Sequence, residues 1–485
     1  MIFALAWIPL AAAAVLLFLP ARNERLLRQM ATAATALSSA LTLWLLIQFQ
    51  PDVSGYQFFR RLDWIPSLGI HYQAGLDGIS MTLCLLHALV SLAGVFVSCA
   101  VKERVKEYLF FYLILVGAIY GVFTSLDLFL LYLFYEMTLI PLYPMIAIWG
   151  SKNKEYGAMK LTLYITAGAV IALFGILTLY RELGLGSFDL IRITEILRTT
   201  PSLSGDFQNW LAPFFLVGFG VIASLWPLHS WSPIGYAAAP TSVSMLHAGV
   251  LKKMGPYLMI RLALALLPEG TAHWANTLAV LAGIGIIYAG LAAIWQKDLK
   301  FIIGFSSVSH MGYILLGVAA MNSTALSGAV LLMFSHGVMA AAVFAAVGFL
   351  YEQAHTRGVT DFGGLGKKTP FLAVSFVMGC LASLGLPGFS NFAAELLIFI
   401  GAWPRYSALV VAAVFGVLLT AIYFLRAVQH IFYGPPNPRW NQLEDAVTFS
   451  QKFPFVLLIG ALLLFGFWPQ GLLRMIQPAA GVIFP

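Results

Sequence analysis

Apolar runs of about twenty residues, separated by short polar breaks, recur along the whole chain. Each is the length that a helix needs to cross a hydrocarbon layer. They predict helices near 2–20, 30–49, 77–100, 107–125, 127–149, 157–180, 210–228, 240–266, 274–295, 300–320, 326–350, 370–402, 406–430 and 453–473, fourteen in all. The expected fold class is therefore an all-α polytopic membrane protein. The largest intervening loops, 51–76 and 181–209, are too short to fold by themselves.

Two runs are interrupted by proline. The seventh contains Ser224-Leu225-Trp226-Pro227 and the twelfth Ser383-Leu384-Gly385-Leu386-Pro387-Gly388. Proline at membrane depth frees a carbonyl and bends or breaks the helix, which is tolerated where protein or a polar cavity satisfies the exposed groups. The breaks lie five helices apart, an odd offset, so blocks built around them have opposite orientations. Broken helices at matching places in inverted repeats point to an ion or substrate path. Two independent proline kinks are the plainer alternative.

Composition agrees with the pattern. With 60% hydrophobic residues, 10% charged residues and a mean hydropathy of +0.88 over 485 residues, there is too little polar surface to cover a soluble globule. The first run lacks a basic leader and an A-x-A site, so it reads as a retained helix and not a signal peptide. The cysteines, Cys84, Cys99 and Cys380, lie apart in apolar runs with no metal-ligand spacing, which argues against zinc, iron-sulfur clusters and disulfides. A net charge of +7 does not mark a nucleic-acid binder here, because the charges sit in loops. With the N-terminus outside, the cytoplasmic loops hold fifteen basic residues, among them Arg22, Lys102, Lys152, Lys300, Arg357 and Lys368. The outer loops hold seven: Arg60, Arg61, Arg181, Arg192, Arg198, Arg405 and Arg474. The positive-inside rule supports that orientation.

Few ionisable groups remain inside the apolar runs. Glu136 interrupts LLYLFYEMTLIPLYPMIAIWG roughly 13 Å along a helix starting at Asp127, near the middle of a layer about 30 Å thick. A bare carboxylate there is costly, so it needs a partner or a task. Lys253 lies halfway along the eighth run, too deep to reach either headgroup layer, and Lys252 precedes it by about 100° of helix. One lysine is expected to carry protons and the other to assist. His310 in SVSHMGY and His336 in MFSHGVM suit a relay, since imidazole titrates near pH 6.5 and passes a proton between its nitrogens. Buried histidines that tie helices together are the alternative. Glu395 follows the Pro387 break; His229 and His247 flank the first break and the lysines. Lys160 and Arg261 sit near helix ends, where anchoring at the interface is an equal alternative to function. His87, with apolar neighbours, reads as a hydrogen-bonded core histidine. No nucleophile triad, metal cluster or phosphate loop accompanies these groups; the chemistry they can do is proton transfer.

The stretches YEMTLIPLYPMIAIWG (135–150), AMKLTLY (158–164), WPLHSW (226–231), APTSVSMLHAGVLKKMG (239–255), KDLKFIIGFSSVSHMGYILLG (297–317), SHGVMAAAVF (335–344), YEQAHTR (351–357) and LGLPGFSNFAAELLIFIG (384–401) resemble the antiporter-like membrane subunits of respiratory complex I, NADH:quinone oxidoreductase. The resemblance covers roughly residues 75–430. Glu395, where the L and N types carry lysine, and the lack of a long lateral helix after the fourteenth favour the subunit M, or subunit 4, type.

This resemblance implies fourteen transmembrane helices with two inverted five-helix repeats, helices 4–8 and 9–13, and helices 7 and 12 broken near Pro227 and Pro387. It implies the divisions 1–106, 107–266 (first repeat), 267–430 (second repeat) and 431–485. It further implies a proton-translocating module of an NADH dehydrogenase in the bacterial inner membrane. Quinone reduction elsewhere in the complex drives it, and other antiporter-like subunits flank it. Flavin, iron-sulfur clusters and quinone are expected in partner subunits, and no cofactor in this chain. By motif, Glu136 is the fifth-helix glutamate, Lys253 the central lysine, His310 and His336 parts of the connecting axis, and Glu395 the terminal carboxylate.

The sequence departs from the family pattern at Ile222, where the pattern has a lysine to pair with the fifth-helix glutamate, and again in WSPIGYAAAP, where the pattern has acidic and histidine residues. Lys252 or His247 is expected to supply the missing positive charge to Glu136. Two alternatives stay open: the homologous module of a multisubunit Na+/H+ antiporter or membrane-bound hydrogenase, and a structural spacer that has lost pumping with the lysine.

Overall fold

A computed structural model describes residues 1–199 and 203–484. Its helices are α1 (Ile2–Phe18), α2 (Glu24–Gln48), α3 (Gly78–Val97), α4 (Val105–Thr124), α5 (Leu128–Trp149), α6 (Lys154–Leu183), α7 (Leu190–Thr199), α8 (Gly205–Ala223), α9 (Trp231–Ala238), α10 (Thr241–Gly249), α11 (Met254–Leu258), α12 (Pro268–Trp295), α13 (Leu299–Ala319), α14 (Ser323–Ala354), α15 (Pro370–Ser383), α16 (Ser390–Phe432), α17 (Phe449–Phe467) and α18 (Gln470–Ile483). Among the described residues ten helices are long and apolar enough to cross a membrane, so the chain is a largely helical, multi-pass membrane protein.

The polar breaks set the helix starts, because side-chain oxygens there take up N–H groups that the first turn leaves unpaired. Asp77 and Ser80 form a capping box on α3. Asp127 accepts from the N–H groups of Phe129 and Leu130 at 3.0 and 3.1 Å. Asp298 and Asn322 do the same for α13 and α14.

The all-α expectation needs one correction. The loop 51–76 folds as an antiparallel hairpin of β1 (Gln57–Ile65) and β2 (Ile70–Leu76). Its ladder ends on the bundle: His71 N–H donates to Asp127 Oδ2 at 3.0 Å, and Gln73 Nε2 to Asp189 Oδ2 at 2.9 Å. The amphipathic helices α7 and α18, which the apolar pattern does not reveal, lie at this same end, where Arg198 donates to Val482 O at 2.6 Å.

Both breaks occur where proline announces them. The seventh run divides into α8 and α9 around Ser224, whose φ is +58°. The twelfth divides into α15 and α16. The eighth run is not one helix: α10 ends at Gly249, a tight turn covers Leu251–Lys253, and a π-helical stretch covers Met259–Leu264. The helix α16 has 43 residues, about 65 Å of rise and roughly twice the hydrocarbon thickness. Its backbone leaves helical geometry at Tyr406 (φ −134°, ψ 44°), two residues after Pro404. Before that point Gly401 packs on Ala325 and Ile398 on Gly328. These contacts run antiparallel to α14. After it Tyr406 donates to Asn276 at 3.0 Å, Leu409 meets Gly283, and Arg426 reaches Ile294 O, parallel to α12. Since α13 is antiparallel to both α12 and α14, the chain reverses at Tyr406.

The helix α14 is the buried axis of the bundle. Within a membrane, helices associate through close packing, which small residues allow. Gly337 of α14 meets the backbone of Gly249, so that any Cβ there clashes and the end of α10 touches α14 directly.

Candidate functional site

That contact places the lysines. Because α10 stops at Gly249, Lys252 and Lys253 sit in a tight turn and not on a regular helix, and both are fully buried. Lys253 Nζ donates to Ala248 O, a carbonyl freed by the turn. Lys252 Nζ points elsewhere, donating to Ser232 Oγ on α9 at 3.0 Å and to Ser307 Oγ on α13 at 3.3 Å. The Tyr236 ring lies 5.4 Å from the same ammonium.

From Ser307 the polar groups continue along α13. His310 Nδ1 lies 2.9 Å from Ser306 O and Nε2 lies 3.2 Å from Ser383 O, the last residue of α15 before its break. The Ser383 hydroxyl also lies 3.5 Å from Nε2, so this nitrogen has both an acceptor and a possible donor beside it. His310 Nε2 also lies 3.9 Å from Glu395 Oε1. On its face, His310 stacks against His336 of α14 with ring centroids 5.0 Å apart. Tyr423 donates to Ser306 Oγ at 2.9 Å.

Glu395 is 5% exposed and lies in the first turns of α16. Gly385, at φ +64° within the break, leaves room for it: a Cβ there would come 2.5 Å from Glu395 Oε2. Among the described residues, several buried polar atoms beside this line lack a protein partner: both nitrogens of His336 and of His247, Ser390 Oγ, and both polar atoms of Asn391. Buried polar groups of this kind are costly unless something pairs with them. The chemistry available from Lys253 and Lys252 through His336 and His310 to Glu395 is proton transfer between a lysine amine, two imidazoles and a carboxylate.

The first half is arranged differently. Glu136 is only partly buried, and Tyr132 donates to its Oε1 at 2.6 Å. Among the described residues, no basic nitrogen lies within 4.0 Å of it. Neither Lys252 nor His247, the groups expected to supply positive charge to Glu136, forms a direct ion pair with it: Lys252 donates to Ser232 and Ser307, and His247 packs between Trp231 and Tyr236 at 5.3 Å from each ring. Ile222 is buried on α8 just before the break. His229, in the break, stacks edge-on against Tyr288 at 5.1 Å.

Four further lysines and arginines, and one histidine, take the settings that follow. Arg261 does not anchor at an interface; it is buried and bonded to Asp77 Oδ1, so the π-helical stretch is tied to the cap of α3. Lys300 is not a loop charge but is 1% exposed, donating to Ala239 O at 2.6 Å. Arg357 bonds Asp298 at 3.0 Å and Ser151 at 3.1 Å. Lys160, partly exposed, lies between the rings of Tyr156 and Tyr164 at 5.7 and 5.8 Å. His87 Nε2 donates to Val116 O at 2.9 Å inside the core, as its apolar setting implied. The serines Ser232, Ser306, Ser307 and Ser383 were the members of the site that charge alone did not reveal; the run SSVSH (306–310) signalled Ser306 and Ser307, whereas Ser232 and Ser383 carried no such signal.

Residues 125–420 match the family model described as NADH:quinone oxidoreductase/Mrp antiporter, TM. The NADH-quinone oxidoreductase subunit M of Rhodobacter capsulatus is 34% identical over 483 residues, covering 98% of this chain and 94% of its own. A chain of respiratory complex I from Thermus thermophilus superposes with a TM-score of 0.90 at 28% identity, covering 100% of both chains. A chain of the Mrp complex from Dietzia sp. superposes with a TM-score of 0.88 at 21% identity, covering 100% of this chain and 97% of that one, which shows a shared fold. The chain belongs to the NADH:quinone oxidoreductase/Mrp antiporter transmembrane family, and within it to the subunit M type.

Proposed function

We propose that this chain is a proton-translocating membrane-arm subunit of an NADH:quinone oxidoreductase. In this reading it moves H+ through the line of Lys253 with Lys252, His336, His310 and Glu395, and remote quinone reduction drives it. The carrying observation is that line itself: buried titratable groups on α13, α14 and α16 lie against one another, and Lys252 in the turn after α10 joins α13 through Ser307. Each is costly to bury without use. Glu136, on the partly exposed face of α5, then communicates with the neighbouring subunit, His229 serves the first half, and His247, which shares Tyr236 with Lys252, serves the lysines.

The reading includes fourteen crossings with inverted repeats over helices 4–8 and 9–13 and the divisions 1–106, 107–266, 267–430 and 431–485. The ten long spans support it, together with the short α1, the paired segments α8/α9 and α10/α11, the α15 break and the reversal at Tyr406. Flavin, iron-sulfur clusters and quinone reside in partner subunits, and antiporter-like subunits adjoin the apolar lateral faces within the bacterial inner membrane. The Mrp-like fold supports a second reading, the same module in a multisubunit antiporter. Copurifying antiporter small subunits in place of flavin and iron-sulfur subunits would establish it.

The test is Lys253→Met in the reconstituted complex, with protons moved per electron as the readout. A lowered yield with assembly retained is expected; an unchanged yield favours a spacer that connects other subunits.

A further inference from the structure

Lys300, Glu352 and the groups between them and Lys252 are not used by the line described above, yet they form a connected set. Glu352, in the last turn of α14, lines two open cavities of about 270 and 360 Å³ at the basic end of the bundle. Each has room for roughly ten waters at about 30 Å³ apiece. The second is also lined by Lys102, Glu103, Lys154 and Ser242, and Ser242 shares a 2.5 Å hydrogen bond with Tyr108. Lys300 Nζ donates to Ala239 O at 2.6 Å, next in the chain to Pro240, Thr241 and Ser242, which share the wall of the second cavity with Glu352. Beyond the cavities, Lys300 Nζ lies 3.4 Å from Ser244 Oγ, and Ser244 donates to Tyr236 O at 3.0 Å. The Tyr236 hydroxyl and both His247 nitrogens are buried and, among the described residues, without a protein partner. Lys252 faces the same tyrosine.

We infer that Glu352 and Lys300 are the proton-uptake site of this subunit, drawing protons from the cavities at the basic end and passing them by way of Ser244, Tyr236 and His247 to Lys252. The inference rests on the proton-translocating reading and gives it an entrance. A proton bound by the Glu352 carboxylate moves to the Lys300 amine, then through water held by the unpartnered groups to the Lys252 amine. Each donor is left as it began once the next proton arrives, and no bond other than those to hydrogen changes. This also assigns the paired lysines: Lys252 receives from the uptake side, and Lys253, bonded to Ala248 O, passes the proton onward.

Lys300 also holds the carbonyl end of the short helix α9 through Ala239 O, so a purely structural role has to be separated from a relay. Lys300→Arg separates them, because guanidinium keeps the positive charge and the donor but does not give up its proton. In the reconstituted complex, Glu352→Gln and Lys300→Arg are expected to lower the protons moved per electron with assembly intact, and Glu352→Asp to restore much of the loss. Ala100→Trp, which fills space lining both cavities without changing an ionisable group, is expected to lower the yield as well. A normal yield from Lys300→Arg, Glu352→Gln and Ala100→Trp alongside a lowered yield from Lys253→Met overturns the uptake site and leaves the pumping reading standing. A normal yield from Lys253→Met removes the pumping reading itself.

Discussion

His310 Nε2 stands 3.9 Å from Glu395 Oε1, joining α13 to α16 directly across the break that follows Ser383. This places an imidazole with two carbonyl neighbours beside a carboxylate in the first turns of a helix whose entry loop contains Pro387. A proton on the ring and a charge on the carboxylate stabilise each other at this distance, so the two act as a unit.

Substituting Glu395→Gln keeps the shape and removes the charge. The proton yield should fall, and adding His310→Ala should cost little more, because the partners are coupled. Steady-state turnover with simultaneous proton counting on the two single variants and the double variant measures this; strictly additive losses would show that the residues work independently.

Gly385→Ala puts a methyl group 2.5 Å from Glu395 Oε2 at a φ of +64°. The left-handed backbone costs about 1–2 kcal/mol for a non-glycine residue, and the carboxylate must move away from His310. The expected outcome is an assembled complex with slightly lower thermal stability and a proton yield reduced toward that of Glu395→Gln. Differential scanning calorimetry and the proton assay read the two effects.

The side chains of Arg261 and Asp77 are 6% and 8% exposed. Asp77→Asn leaves a buried guanidinium without its carboxylate, at a cost of about 3–5 kcal/mol. Pairing it with Arg261→Met should recover much of that loss, since no buried charge is left alone. Thermal unfolding in detergent of the single and double variants decides it.

Tyr132→Phe removes the hydroxyl that donates to Glu136 at 2.6 Å. Because the pair is only partly buried, stability should change by no more than about 1.5 kcal/mol. If Glu136 takes part in the proposed pumping, the proton yield should change more than the melting temperature does. Equal yields for wild type and variant would mean that Tyr132 does not control this glutamate.

The sequence by itself determined the membrane class, the breaks at Pro227 and Pro387 and the list of buried titratable residues. All three follow from local rules: apolar length, the missing proline N–H, and the cost of charge in hydrocarbon. It missed the β1–β2 hairpin, α7 and α18, because segments lying at the end of the bundle carry no twenty-residue apolar signal. It treated the eighth run as one helix, yet the close approach of Gly249 and Gly337, a contact between residues far apart in the chain, accompanies its end at the lysines. Which groups meet was decided by the tertiary structure alone. Lys252 turned to Ser232 and Ser307 instead of Glu136, Arg261 to Asp77, and His310 to Glu395. The reason is physical: a residue's burial can be read from its own neighbours in sequence, but its partner depends on which helix faces pack together.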